Sequence, residues 1–143
     1  MYAPDWEKPC PSCSSILDRL NGIAPHVTQR ANFAVTAKAP IQSVRDWARG
    51  RDWKNFRLLS SGKSSYNSDY GAETAESGQI PALNVFQKSA DGIHHFYNTE
   101  LLYAPMEPGQ NPRHVDSLWP LWNMFDLTPA GRGTDWYPKH SYD

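Results

Sequence analysis

Both cysteines of this 143-residue chain lie near its start, two residues apart, in Cys10-Pro11-Ser12-Cys13. A loop closed by a disulfide of this spacing is too short to add much stability, so the pair is expected to serve chemistry rather than folding. A structural zinc site takes about four ligands, commonly with a second C-x-x-C or a closely spaced histidine pair. The five histidines offer no such spacing. The pattern therefore favours a redox dithiol without a metal, with half of a metal site and two inert thiols as alternatives.

A helix that begins at this motif makes the redox interpretation specific. Cys10 is then the N-cap and Pro11 the first helical residue, where a missing N–H costs nothing. The Cys10 sulfur faces the free N–H groups of Ser12 and Cys13 and the positive end of the helix dipole, which lower a cysteine pKa from about 8.5. We therefore predict Cys10 as the nucleophile and Cys13, one turn further, as the resolving thiol.

The composition is that of a globular chain and limits the classes of partner. Apolar residues make up 39% and charged residues 20%, and the net charge is -1. Because basic and acidic residues are mixed along the chain, neither nucleic acid nor an anionic membrane is an expected partner. No apolar run approaches the roughly 20 residues that span a bilayer, and the first residues do not resemble a signal peptide. We expect a cytoplasmic protein with a single domain over residues 1–143, ending in an irregular tail at residues 126–143.

Apolar periodicity and turn residues predict an alternation of helices and strands. The Asp91-Gly92 pair between two β-prone runs is a strong hairpin signal. The elements predicted in chain order are a redox helix ending at Gly22, a helical stretch at 24–30, a strand at 33–37, a helix at 41–49, a strand at 56–61, a long loop at 62–78, a hairpin of 78–88 with 93–97, and a helix at 115–125 kinked at Pro120.

Several motifs spread over nearly the whole chain resemble one family. They are Pro4-Asp5-Trp6, Cys10-Pro11-Ser12-Cys13-Ser14, Pro81 with Val85-Phe86, and Asp126-Leu127-Thr128-Pro129 with Gly131-Arg132. Together they resemble a family of thioredoxin-like proteins, mainly bacterial, that is described as predicted dithiol-disulfide oxidoreductases of largely unknown function. The ending, with its DLTP and GR, is the most family-specific of these motifs.

The resemblance implies an α/β fold of thioredoxin-like type, with three layers (α/β/α) and a mixed sheet. It places the dithiol at a helix N-terminus with Pro81 opposite, where that fold carries a cis proline. Ile80 would then pair its backbone with an extended substrate, and Trp6, Pro11 and Ser12 complete the predicted substrate-binding set. For Pro81 the alternative is an ordinary trans proline at a strand start, and for Trp6 it is a packing role.

One feature departs from the family pattern. Family members carry an apolar central strand upstream of the Pro4-Asp5-Trp6 segment, whereas this chain begins at Met1. We therefore expect a fold that lacks its first central strand through truncation at the N-terminus. A dimer with swapped segments is one way in which the missing strand could be replaced.

The predicted function is thiol-disulfide exchange with a protein or small-molecule disulfide or thiol, without an organic cofactor. Three alternatives stay open at the level of the sequence. They are a non-catalytic thioredoxin-like binding module, a peroxiredoxin-like peroxide reductase, and a metal chaperone that uses both cysteines and one histidine.

Overall fold

The computed structural model describes residues 2–99 and 105–142. They belong to two compact units, Met1–Lys63 together with Asp116–Asp143, and Ser64–Val115. The α/β class is confirmed in this coarse form. The three-layer arrangement around one mixed sheet is not confirmed, because each of the sheets found in the described residues has two strands. The elements are α1 Pro11–Val27, β1 Ala34–Ala37, α2 Ile41–Gly50, β2 Arg57–Ser60, α3 Tyr66–Asp69, β3 Glu73–Thr74, β4 Gly78–Gln79, β5 Leu83–Ser89, β6 Gly92–Thr99, and α4 Leu121–Asp126.

The first unit is built on a β1–α2–β2 crossover, as the sequence predicts. β1 and β2 pair in parallel from Ala34 opposite Arg57 to Ala37 opposite Ser60. In α2, Val44 and Ala48 are almost fully buried at helical spacing, which gives this short helix one apolar face. Parallel strands must be joined by a crossover connection, and α2 provides it here.

Two apolar clusters form the core of this unit. The first joins Leu17, Ala24, Val35, Ala48, Trp53 and Phe56. The second joins Tyr2, Ala37, Ala39 and Val44. Trp47 and Leu58 pack against both clusters, and Leu17 and Ala24 bring α1 into the first. α1 is therefore held on the sheet by its buried face.

The first helix does not end at Gly22 as predicted, and no separate helix begins near Pro25. α1 continues through both residues to Val27. Pro25 has no N–H to give to the carbonyl of Asn21, four residues before it. The side chain of Asn55 supplies the missing donor, with 2.9 Å between its Nδ2 and Asn21 O. In return, Asn21 Oδ1 accepts the backbone N–H of Asn55 at 3.0 Å. A residue outside the helix thus satisfies the carbonyl that the proline leaves unpaired.

The prediction of a helix at 115–125 is wrong for the first half of that range. A single 3-10 turn spans Arg113–Val115, and α4 occupies Leu121–Asp126. Pro120 is the N-cap of α4 rather than a kink inside a longer helix. A proline disfavours the helical conformation of the residue before it, so the apolar periodicity ahead of Pro120 is not realised as a helix.

Arg132 joins both sides of α4 to the segment that follows it. Its guanidinium donates to Asp116 Oδ1 at 3.1 Å and Oδ2 at 2.8 Å, and to Asp126 Oδ1 at 2.9 Å. Gly131 has a φ of +65°, a conformation that favours glycine and turns the chain so that Arg132 reaches both carboxylates. The Arg132 side chain is 4% exposed, and the pKa of its guanidinium is raised by its bonds to Asp126 and then Asp116. The family-specific ending of the sequence is therefore a buried ionic clip.

The second unit contains the predicted hairpin. β5 and β6 pair in antiparallel register around the Asp91-Gly92 turn, with an irregularity between Val85 and Phe86. The stretch at 62–78, predicted as a loop, contains α3 and the short β3–β4 pair instead. Tyr70 at the end of α3 places its ring against the ring of Phe86, with centroids 5.0 Å apart. This local packing gives the stretch its structure.

We predict that Asn55→Ala lowers the free energy of unfolding by about 1 kcal/mol, because the half-buried Asn21 carbonyl loses its donor. Urea denaturation followed by circular dichroism measures this change. Asn32→Ala, at an exposed position before β1, is the control and should shift the midpoint little. Equal midpoints for the two variants would contradict the role of Asn55.

We predict that Arg132→Met lowers the free energy of unfolding by about 3 kcal/mol, since it leaves two carboxylates facing each other without their shared cation. Thermal melts detect the change as a large drop in melting temperature. Arg45→Met removes the same charge from an exposed position of α2 and is expected to change stability by less than about 0.5 kcal/mol. A small effect of Arg132→Met would mean that the clip does not hold the segment after α4.

Candidate active site

The dithiol lies at the N-terminus of α1, in the geometry that the sequence predicts. Cys10 is the N-cap, with φ -60° and ψ 128°, and Pro11 begins the helix. The backbone N–H of Cys13 donates to the Cys10 sulfur at 3.4 Å, and the N–H of Ser14 donates to the Cys10 carbonyl at 3.0 Å. Pro11 favours extended backbone at the residue before it, which is the conformation that an N-cap needs. The local sequence therefore aims the Cys10 sulfur at the helix N-terminus.

Hydrogen bonds and burial separate the acidities of the two thiols. The Cys13 thiol donates to the Cys10 sulfur, and this bond is the largest influence on both groups. With the backbone N–H groups of Cys13 and Ser12, it lowers the pKa of Cys10 from 9.0 to about 5, although partial burial acts in the opposite direction. The same bond, together with burial, raises the pKa of Cys13. At neutral pH the pair therefore holds one thiolate and one thiol.

The two sulfurs differ in solvent exposure and therefore in their access to a substrate. Cys10 is half-buried, whereas Cys13 is 7% exposed, and both are free cysteines. Ser14, the next residue, is also buried, and its Oγ has no hydrogen-bond partner within the described part of the chain. A disulfide that approaches from solvent meets Cys10 first. The Cys13 sulfur is correspondingly less accessible from solvent.

The C-terminal part of the chain is bound to α1 close to the dithiol. The indole Nε1 of Trp119 donates to Ser15 Oγ at 3.1 Å across 104 residues of sequence. Ser15 is two residues beyond Cys13, and Trp119 is 3% exposed. Trp119 falls within the helix predicted at 115–125, and the sequence does not predict this bond. A buried indole N–H needs an acceptor, but nothing local to Trp119 indicates which residue supplies it.

A second anchor holds the middle of α1. Asp18 accepts Arg51 Nε at 2.9 Å and Trp53 Nε1 at 2.8 Å through the same oxygen, Oδ1. The Arg51 guanidinium also donates to the carbonyl of His140 at 2.9 Å and lies about 6 Å from the Trp53 ring centre. The helix that carries the dithiol is thus fixed to α2 and to the end of the chain as well as to the sheet.

The predicted site residues fall into two groups. Pro11 and Ser12 lie beside the cysteines at the start of α1, and Trp6, four residues before Cys10, is 44% exposed. Ile80 and Pro81 belong to the second unit, where both are half-buried. Pro11 and Ser12 therefore adjoin the dithiol in α1, and Trp6 belongs to the same unit.

Ile80 and Pro81, the second group, differ from what the resemblance implies in the conformation of the peptide bond that joins them. The described residues contain no cis peptide bond, so the bond before Pro81 is trans. Pro81 stands two residues before β5, which is the trans alternative left open by the sequence. The trans form is favoured by about 0.5–1 kcal/mol unless the surroundings demand cis. The N–H of Ile80 donates to Ala72 O at 2.8 Å, which leaves its carbonyl as the backbone group for the predicted pairing with a substrate.

Within residues 2–99 and 105–142, no helix has both the length and the apolar character required to span a membrane. The same residues contain no group of three or more His, Cys, Asp or Glu side chains placed to hold a metal ion.

Comparison with known proteins gives one match. The model of a family described as "Bacterial protein of unknown function (DUF899)" matches residues 1–143. No curated protein and no solved structure matches the chain.

We predict that alkylation of Cys10 by iodoacetamide reaches half its maximal rate at about pH 5. The pKa is lowered, so the thiolate persists to acid pH and is lost only as the pH falls through that value. Mass spectrometry of the reduced protein measures the rate and is expected to find Cys13 unmodified.

The source of the low pKa is tested by two variants of Cys13. Cys13→Ser keeps a hydroxyl that can donate to the thiolate, whereas Cys13→Ala removes the donor and should raise the midpoint by roughly one to two pH units. An Ala variant that titrates like the native protein would show that the thiol of Cys13 does not stabilise the Cys10 thiolate.

Proposed function

We propose that this chain, which belongs to the DUF899 family, is a thiol-disulfide oxidoreductase in which Cys10 is the nucleophile and Cys13 the resolving thiol. The single observation that carries the proposal is the Cys10 sulfur at the N-cap of α1, hydrogen-bonded by the N–H of Cys13. This arrangement stabilises a thiolate at a half-exposed position, and the thiolate is the reactive form of cysteine.

In the first step the Cys10 thiolate attacks one sulfur of a substrate disulfide. A new S–S bond joins Cys10 to the substrate, the substrate S–S bond breaks, and the released substrate sulfur leaves as a thiolate that takes a proton. No oxidant or reductant other than the substrate is needed at this stage. The half-exposed sulfur of Cys10 suits it to this attack.

In the second step Cys13 loses its proton and attacks the sulfur of Cys10. The Cys10–Cys13 disulfide forms, the second substrate sulfur leaves as a thiol, and two electrons have passed to the substrate. The pKa of Cys13 is high because its thiol is bonded to an anionic Cys10 and is buried. Once Cys10 is in a mixed disulfide it carries no charge, so the first of these two causes disappears. The resolving thiol is therefore activated only after the substrate is bound.

The cycle closes when an external thiol of the same chemical class as the substrate reduces the Cys10–Cys13 disulfide. The substrates and partners proposed are protein or small-molecule disulfides and thiols, with no organic cofactor. The proposed compartment is the cytoplasm, where thiols are kept reduced.

The same proposal includes a relationship to the thioredoxin-like fold. Its support is the order of the elements: a dithiol at the start of α1, a parallel β1–α2–β2 unit after it, and an antiparallel hairpin later in the chain. Pro81, trans and ahead of β5, occupies the sequence position at which the resemblance expects the substrate-facing proline.

We predict that Cys13→Ser accumulates a covalent mixed disulfide with its substrate. The serine can still donate to the Cys10 thiolate, so attack is retained, but it cannot resolve the product. Incubation with insulin under non-reducing conditions, followed by mass spectrometry, should show an adduct on Cys10 that dithiothreitol releases.

The matched control is Cys10→Ser, which keeps Cys13 as the only thiol and should form little adduct because that thiol is buried. Equal trapping by both variants would contradict the assigned roles. A native protein that neither reduces insulin nor forms an adduct would favour a non-catalytic binding module.

A further inference from the structure

We propose that the free edge of β6 is a dimerisation surface, on which β6 of a second copy of this chain pairs in antiparallel orientation. The two hairpins then form one four-stranded sheet around a twofold axis. This proposal concerns the second unit and does not depend on the proposed function of the dithiol.

Within the described part of the chain, β6 is bonded to another strand along one edge only. Its partner there is β5, from Leu83 opposite Thr99 to Ser89 opposite Gly92. Among residues 2–99 and 105–142, no backbone–backbone hydrogen bond joins β6 to any segment other than β5. The N–H and C=O groups that point away from β5 can therefore bond a further strand.

A hairpin of two strands needs support from a further element. Two strands alone are marginally stable in water, and a third strand or a packed helix is normally required. Here α3 supplies Tyr70, whose ring contacts Phe86 and His95 with centres 5.0 and 4.9 Å apart. Ile93 and Phe96, by contrast, are each 72% exposed. Two further strands from a second copy extend the support to the rest of β6.

The two strands of the hairpin differ in how their outer edges are protected. Natural proteins guard an edge strand with charged side chains, particularly lysine, and with proline. β5 carries Lys88 and is preceded by Pro81. β6 contains no Lys, Arg, Asp, Glu or Pro, and the irregularity in its pairing adds an apolar ring, Phe96, between His95 and Tyr97. Of the two strands, β6 therefore has the edge that favours pairing.

The composition of β6 favours a second copy of the same strand as its partner. When a strand pairs with its own copy around a twofold axis, each charge comes close to a like charge, which destabilises the pair. β6 avoids this repulsion because it has no Lys, Arg, Asp or Glu. In an antiparallel register centred on His95, Ile93 of each copy lies opposite Tyr97 of the other, a favourable pairing of a β-branched with an aromatic residue. A charged peptide, by contrast, finds no ion pair on this strand.

The exposed area of the hairpin is in the range that a reversible dimer needs. Phe86 is 39%, Phe96 72% and Tyr97 50% exposed. At about 150–250 Å² for a whole aromatic side chain, the three rings together expose roughly 300 Å² in each copy. With Ile93 and the strand edge, two copies approach the roughly 1,000 Å² of a specific interface. An interface at this lower limit is typical of a reversible dimer rather than a permanent one.

Sedimentation velocity of the full chain at a series of concentrations measures the oligomeric state, with dithiothreitol present so that no intermolecular disulfide forms. The native chain is expected to shift from the mass of a monomer to that of a dimer as its concentration rises. Ile93→Lys places like charges at the interface and is expected to raise the dissociation constant about tenfold or more. Gln87→Lys is the matched control, since it adds the same charge at an exposed position of β5, and it should leave the constant nearly unchanged.

Three results of this experiment would overturn the proposal. The first is a native chain that stays monomeric up to millimolar concentration. The second is a dimer that Ile93→Lys weakens no more than Gln87→Lys does, because such a dimer uses another surface. The third is a series of irregular aggregates in place of a dimer.

Hydrogen exchange tests the same edge without a variant, in case circular dichroism shows that Ile93→Lys does not fold. The amide hydrogens of β6 that point away from β5 are expected to exchange more slowly in the native chain at high concentration than at low concentration. Equal exchange at both concentrations would contradict pairing through β6. Neither measurement needs redox activity, so an inactive dithiol does not alter the outcome.

Discussion

The hydrogen bond from the N–H of Cys13 to the Cys10 sulfur is the interaction on which the rest of this structure depends. The first N–H groups of every helix have no partner within the helix. Here one of them donates to a sulfur, and the positive end of the helix dipole favours the thiolate form of that sulfur. The N-cap position is normally filled by a hydroxyl or a carboxylate. A sulfur in the same place binds the donor less tightly, but together with the thiol of Cys13, which has the larger influence, the capping N–H lowers the pKa of Cys10.

Such control needs a helix that does not shift against its surroundings, and α1 is held at several levels. Ser15 is bonded to Trp119, Asp18 to Arg51 and Trp53, and Asn21 to Asn55. These side chains follow one another along the helix at spacings of three residues, so polar anchors run beside the apolar face formed by Leu17 and Ala24. The anchors come from the segment that follows α2 and from the C-terminal part of the chain. The dithiol is therefore coupled to most of the first unit, although its own geometry is local.

The C-terminal part of the chain combines two kinds of interaction. Arg132 closes an ionic clip around α4, and a series of aromatic rings extends from the buried Trp119, ahead of α4, to the exposed Tyr142. The clip holds the start of the segment after α4 in place. The aromatic rings determine which side chains of that segment are buried and which are exposed. A segment without strands or long helices can in this way be as well defined as a regular element, because side chains provide the order that backbone ladders provide elsewhere.

The sequence by itself determined the features that are stabilised by residues close to one another in the chain. Pro11 fixes both the extended conformation of Cys10 and the start of α1, the apolar periodicity of 41–49 defines α2, and the Asp91-Gly92 turn defines the hairpin. Only the tertiary structure decided the features that depend on distant partners. α1 passes Pro25 because Asn55 supplies a donor, Trp119 finds its acceptor 104 residues away, and Tyr70 organises the stretch predicted as a loop. A residue pattern records the preferences of neighbours along the chain, whereas these contacts exist only after folding brings their partners together.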